Sequence, residues 1–197
     1  MTIPEYDDPV ALFREWLTAA ESAEPINANA MAVATVGAGG VPSIRTVLLK
    51  GVDDAGGFVF YTNLESQKGE ELRTNARAAA CFYWRSLERQ VRIEGPTALV
   101  EAAEADAYFA TRPRGSQVSA WASAQSRLLE SRTELERAVA ETEARFDGVA
   151  VPRPPFWSGY RISAARIEFW LSQPSRLHYR LRYDRQAEHW RRCWLNP

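Results

Sequence analysis

Near the carboxyl end, Arg176, His178 and Arg180 alternate with Leu177 and Tyr179. A strand's period of two sets the three on one face, two guanidiniums flanking an imidazole. Such a face does not suit a packed core, so it is either solvated or built to hold an anionic, planar ligand. Before it runs Ile167-Glu-Phe-Trp170, apolar and strand-like, and a polar turn containing Pro174 separates the two. A second group, Tyr108, Arg112 and Ser116, is spaced four and four, but Pro113 prevents one regular helix from carrying all three. The spacing predicts Tyr108 and Arg112 on the last turn of one helix and Ser116 at the N-cap of the next. A phenol, a guanidinium fork, a hydroxyl and a helix N-terminus would then converge as a phosphate site. The same residues also read as an ordinary Arg-Pro-Arg-Gly turn with a routine cap.

Arg45 and Lys50 bracket Thr46, Val47, Leu48 and Leu49 on one predicted strand. Five apart, they should point to opposite faces, serving two anionic groups or leaving one side chain to solvent. Gln90 in a strand, Gln125 with Ser126 at a helix end, and Trp170 offer the amides and flat apolar wall that a flavin ring needs. Singly, each also reads as a surface amide or a core aromatic.

The elements that must position these groups are mostly short strands. Asp8 and Pro9 start an amphipathic helix to about residue 20. Strands are predicted over 30–36, 44–50, 58–62, 78–84 and 90–95, the last extended by 97–100 past a bulge at Pro96. A short helical pattern capped by Ser66 interrupts them over 66–75. Helices follow over 102–112, 116–126 and 131–146, and strands return between 160 and 195. The fold class expected is mainly β with flanking helices (α+β), an antiparallel closed or nearly closed small barrel with helices packed outside. Gly37-Ala-Gly-Gly40 lies between strands and is a turn, not a dinucleotide fingerprint.

With 197 residues, 46% hydrophobic and 25% charged, the chain is expected to form one domain over 1–197. A formal charge of -1 supplies no field for nucleic acid or an anionic membrane. The acidic start resembles no secretory signal, and no apolar run approaches the roughly 20 residues that span a bilayer, so a cytoplasmic location is expected. Cys81 and Cys193 make no metal-ligand spacing with His178 and His189, and no metal is expected.

Taken jointly, Arg45-Thr-Val-Leu-Leu-Lys50, Phe60-Tyr-Thr-Asn63, Ser66-Gln-Lys68, Leu87-Glu-Arg-Gln-Val91, Tyr108-Phe-Ala-Thr-Arg-Pro-Arg-Gly-Ser116, Ala120-Trp121 with Gln125-Ser126, Ile167-Glu-Phe-Trp170 and Arg176-Leu-His178 resemble the pyridoxamine 5'-phosphate oxidase family. They appear in the family's order and cover the chain from Pro9 to Pro197. The resemblance implies an FMN-binding split β-barrel, active as a homodimer with flavin at the subunit interface. It implies oxidation of pyridoxine or pyridoxamine 5'-phosphate to pyridoxal 5'-phosphate, with O2 reduced to hydrogen peroxide. Carried over by position, the cofactor set is Arg45, Thr46, Val47, Leu48, Leu49, Lys50, Tyr61, Thr62, Gln67, Lys68, Gln90, Gln125, Ser126, Trp170 and Arg180. Trp170, Arg180 and Gln125 would reach a flavin held mainly by Arg45 and Lys68 of the other subunit. The substrate set is Lys50, Tyr108, Arg112, Ser116, Arg176 and His178, the last two being catalytic.

The chain departs from the family pattern in three places. Gln67 stands where members usually carry Arg, Tyr179 where many carry Asp, and an amino-terminal extension that closes over the site in some relatives has no counterpart. Weaker FMN binding and looser closure are the expected results. A related flavin oxidase acting on another substrate, such as a phenazine precursor, shares Gln67. A non-catalytic flavin- or pyridoxal-phosphate-binding protein is the other alternative, against which the Arg176/His178 pair argues.

Overall fold

The computed structural model describes residues 2–197. Helix α1, Pro9–Ala23, starts as its sequence dictates, with Asp8 Oδ1 accepting from the Val10 amide at 2.9 Å and Pro9 at the first helical position. It runs three residues past the predicted end and stops at Glu24, whose extended backbone (φ -86, ψ 133) is what a following proline favours. Its buried face carries Leu12, Phe13, Trp16 and Ala20.

Ten strands follow: β1 (Ala30–Val36), β2 (Pro42–Leu48), β3 (Gly51–Val52), β4 (Gly57–Asn63), β5 (Arg77–Trp84), β6 (Arg89–Leu99), β7 (Trp157–Ser163), β8 (Arg166–Leu171), β9 (Tyr179–Gln186) and β10 (His189–Trp194). Every pairing is antiparallel, in the order β10-β9-β8-β6-β5-β1-β2, with β4 joined to β3 and β7, and β7 to β6. Strand β6 curls the sheet into a half-barrel. Its residues 89–94 pair with β8 and its residues 97–99 pair with β7. Gly95 and Pro96 occupy the change of partner. A Cβ on Gly95 would stand 1.9 Å from the Ser163 carbonyl oxygen, so only glycine allows the two backbones to come this close. The two predicted strands are therefore one, continuous through Pro96.

The core lies between α1 and the inner face of the sheet. Phe13 meets Phe58 edge-on at 4.9 Å and Phe82 at 5.2 Å, while Trp16 meets Phe169 at 5.2 Å. Each such fully buried side chain contributes about 1.5–3 kcal/mol. Strand β5 shows the alternation that fixes register, with Ala78, Ala80, Phe82 and Trp84 inward. A second cluster of Phe109, Val118, Phe146, Val151 and Trp157 seats helices α3 (Ala102–Ala110), α4 (Arg114–Ala122) and α5 (Arg132–Arg145). Helix α2, Gln67–Thr74, is capped by Ser66 as the sequence predicts. Among the described residues, no helix is long and apolar enough to cross a membrane.

Candidate active site

A cleft of about 480 Å³ opens where β2, β4, α2 and the α3–α4 connection meet. Arg45, Thr46, Val47, Leu48 and Lys50 line one wall; Tyr61, Thr62, Asn63, Lys68, Tyr108, Arg112, Gln125 and Trp157 line the rest with Ala120 and Ser123. Arg45 and Lys50 share this cleft, contrary to the opposite faces expected of them. The reason is that β2 ends at Leu48: the Leu49 amide donates to Asn29 O and the Lys50 amide to Val59 O, both at 2.8 Å. The chain thus passes from one neighbour to another between these residues, and strict alternation lapses. Leu49, 4% exposed, belongs to the core instead.

Lys68 is the buried cation of the cleft, 7% exposed. Its Nζ donates to Gln125 Oε1 at 2.8 Å, Thr62 Oγ1 at 3.1 Å and Ser66 Oγ at 3.2 Å. These acceptors are all neutral. Burial, then the Arg45 charge, push its pKa from 10.5 down to about 8, with Glu71 opposing. Beside it, Arg45 donates to Thr35 Oγ1 and Ser43 Oγ, both at 2.5 Å, and to Glu71 Oε2 at 3.2 Å. Burial would raise the Glu71 carboxyl, but hydrogen bonds from Ser43, Thr35, Gln67 and Arg45 hold it at about 2. Gln67 is exposed and donates to Glu71 Oε1 at 2.9 Å. It does not line the cleft, so the structure does not bring it to the residues it was grouped with.

At the other end, the Arg112 guanidinium lies 4.8 Å over the Trp157 ring and 5.4 Å from Phe109. Its Nη1 is buried with no hydrogen-bond partner, and burial lowers its pKa against the opposing influence of Tyr108. Tyr61 stacks on Tyr108 at 4.0 Å and on Trp157 at 5.2 Å, and Lys50 Nζ sits 6.0 Å from the Tyr108 centroid. Ser116 is not the N-cap of the next helix. Pro113 takes that position, which puts Ser116 inside the first turn of α4 and off the cleft wall. Helix α4 also ends earlier than expected, at Ala122, so Gln125 and Ser126 lie in a loop; Gln125 reaches the cleft and Ser126, at φ 71, does not line it. Trp157, Glu71 and Ser123 have no place in the sequence-based site set, and Asn63 enters it only through the Phe60-Tyr-Thr-Asn63 motif. For Trp157, the signal was an aromatic following Pro154 and Pro155 at the mouth of a strand read as starting three residues later.

The remaining candidates form a separate group. Register aligns Gln90 with Trp170 and Trp170 with Arg180, one row across β6, β8 and β9 whose side chains share a face. His178 packs on Trp170 at 4.6 Å, and its Nδ1 accepts from the Gln173 amide at 3.1 Å, which leaves Nε2 to carry the proton of the neutral ring. Arg176, His178 and Arg180 do not share a strand face. Pro174–Arg176 forms a 3₁₀ turn with Ser175 at φ 58 and Arg176 at φ 60, and β9 begins only at Tyr179. Positive φ at two non-glycine residues marks a turn that its surroundings must hold. None of Gln90, Trp170, Arg176, His178 and Arg180 lines the cleft of this chain, whereas Gln125 does, on the same chain as Lys68 and Arg45.

Two family models match the chain: "Pyridoxamine 5'-phosphate oxidase" over residues 17–146 and "Pyridoxine 5'-phosphate oxidase C-terminal dimerisation region" over residues 157–197. A pyridoxine/pyridoxamine 5'-phosphate oxidase of Rhodospirillum rubrum is 55% identical over 201 residues, covering 100% of each chain. That of Maricaulis maris is 59% identical over 179 residues, 91% of this chain and 80% of the relative. Among solved structures, PhzG from Burkholderia lata 383, in complex with tetrahydrophenazine-1-carboxylic acid, superposes with a TM-score of 0.91 at 35% identity, covering 98% of this chain and 94% of that one. A pyridoxamine 5'-phosphate oxidase-related, FMN-binding protein from Nostoc punctiforme PCC 73102 shares the fold, with a TM-score of 0.74 at 16% identity over 94% of this chain and 97% of its own.

Proposed function

The chain belongs to the pyridoxamine 5'-phosphate oxidase family, and from that premise we propose that it oxidises pyridoxine 5'-phosphate or pyridoxamine 5'-phosphate to pyridoxal 5'-phosphate, with FMN as cofactor and O2 as final acceptor. The observation that carries this reading is a cleft with a cation at each end lacking an anionic partner: Lys68, bonded only to neutral oxygens, and Arg112, with a buried unpartnered Nη1. Two such cations suit two phosphates, one on the cofactor and one on the substrate. Bound FMN supplies a hydride acceptor at N5 that O2 returns to the oxidised state, giving hydrogen peroxide.

This chain's residues supply binding and orientation. Arg45 and Lys68 are the proposed holders of the flavin phosphate, with Thr62 and Gln125 beside them. Arg112, Lys50 and Tyr108 are proposed for the substrate phosphate; Ser116 is kept in that set on the family motif alone. Arg176 and His178 are proposed to orient the substrate and to steady charge near its ring substituents. The protein is a homodimer, and the dimer is the means by which the Gln90, Trp170 and Arg180 row would meet the cleft of the other subunit. Residues 1–197 act as one FMN-binding domain in this reading, supported by strand pairing unbroken from β2 to β10. A cytoplasmic location is part of the same proposal.

The PhzG structure holds a carboxylic acid without phosphate. Lys50 and the unpartnered Arg112 favour a phosphorylated substrate here. Oxygen consumption by the FMN-loaded protein, offered both phosphorylated vitamers and their dephosphorylated forms, tests the proposal. Turnover confined to the phosphorylated forms is expected; flavin bound without turnover of any of them refutes it.

A further inference from the structure

Glu168 lies on β8 between two core residues, Ile167 and Phe169, and is only 3% exposed. Burying a carboxylate there is costly, and a paired buried charge is weak evidence of a stabilising role. Its partners explain it better. Arg180 Nε donates to Oε1 at 2.8 Å and Arg180 Nη2 to Oε2 at 3.3 Å, while Arg92 also donates to Oε2. Burial pushes the Glu168 carboxyl up, but these two arginines more than offset it and keep it ionised.

Register makes the contact informative. Arg180 stands directly across from Trp170, and Glu168 stands across from Arg182. Arg180 therefore reaches diagonally, back along its neighbour strand, to Glu168. Its Nη1 donates to the Asn196 carbonyl at 2.9 Å. Of the five guanidinium N–H groups, these three contacts engage three and leave two to donate elsewhere. The plane of the fork is fixed from two sides, and the Glu168 charge, shared with Arg92, offsets only part of its own.

We infer that Glu168 is a positioning residue, holding Arg180 in the one orientation that offers its free N–H groups to FMN. This rests on the proposal above that Arg180 contacts the cofactor. Held by Glu168 and Asn196, Arg180 meets the flavin as a directed hydrogen-bond donor that keeps part of its positive charge.

The test is a double-mutant cycle on FMN affinity, read by quenching of flavin fluorescence as apoprotein is titrated, with the melting temperature of each apoprotein measured alongside. Glu168→Gln should raise the FMN Kd about tenfold, the equivalent of about 1.4 kcal/mol, when Arg180 is present. In an Arg180→Ala background the same change should move Kd less than about twofold. Glu168→Asp, which keeps the charge and shortens its reach, should fall between wild type and Glu168→Gln, and it completes the cycle if Glu168→Gln does not fold. An equal loss in both backgrounds means a general structural role and overturns the inference, as does an unchanged Kd for Glu168→Gln. If Arg180→Ala alone leaves FMN affinity intact, it is the placement of Arg180 at the cofactor that fails, and the inference falls with its premise.

Discussion

FMN affinity should fall as pH rises through about 8, because Lys68 must be charged to hold a phosphate. Burial, then Arg45, depress its pKa from 10.5 to about 8, with Glu71 opposing. An anion beside Nζ would favour the ammonium, so binding above that pH takes up a proton. If only the charged form binds, the apparent Kd scales as one plus ten to the power of pH minus pKa. That gives a rise of about 1.1-fold at pH 7, twofold at pH 8 and 11-fold at pH 9, taking the pKa as about 8. The phosphate's second ionisation, near 6, is about 90% complete at pH 7 and shifts the Kd by only about 1.1-fold in the opposite sense over this range. Of the charged groups beside Lys68, Glu71 is held at about 2 and so does not titrate there. Apoprotein stability should change in the opposite sense. The folded pKa lies below the unfolded one, so between about 8 and 10.5 the unfolded chain binds more protons and Lys68 costs less stability as pH rises. FMN titration of apoprotein from pH 7 to 9, in wild type and Lys68→Met, separates the possibilities. A flat profile in wild type, or a wild-type slope kept by Lys68→Met, refutes the argument.

Arg112→Ala removes charge-assisted hydrogen bonds worth about 1.5–3 kcal/mol from a group remote from the reacting carbon, so KM for the phosphorylated substrate should rise about 10- to 150-fold with FMN content normal; loss of flavin instead would reassign Arg112 to the cofactor. Arg176→Ala should chiefly lower kcat, read by steady-state kinetics on the same substrate. Since Gln67 is turned to Glu71, Gln67→Arg should pair with that carboxylate and change the FMN Kd less than about twofold; a tenfold gain would show that this position faces the phosphate after all. FMN should stabilise the dimer by mass action, visible as a lower dissociation concentration in sedimentation, and a monomer binding FMN stoichiometrically would rule out a shared site.

Local chemistry made much of this protein legible in its sequence. Asp8-Pro9 and Ser66 start helices because a carboxylate and a hydroxyl satisfy free amides, and Ala30–Val36 alternates because one face of β1 is buried. The family motifs, running in order along the chain, carried the fold and the reaction. Positions failed where backbone geometry departs from the regular period. Lys50 joins Arg45 because hydrogen bonds to Asn29 and Val59 redirect the chain after Leu48, and Arg176 and His178 leave the strand because a 3₁₀ turn with positive φ intervenes. Ser116 moved because Pro113, not the hydroxyl, sits at the helix start. Other facts depend on pairing between residues far apart in the chain. Tertiary structure alone set Trp157 under Arg112, turned Gln67 to Glu71, put Gln125 on the same side as Lys68, and aligned Gln90, Trp170 and Arg180 in one row. Which strands become neighbours is decided by the burial of distant surfaces against each other, and no local spacing encodes it.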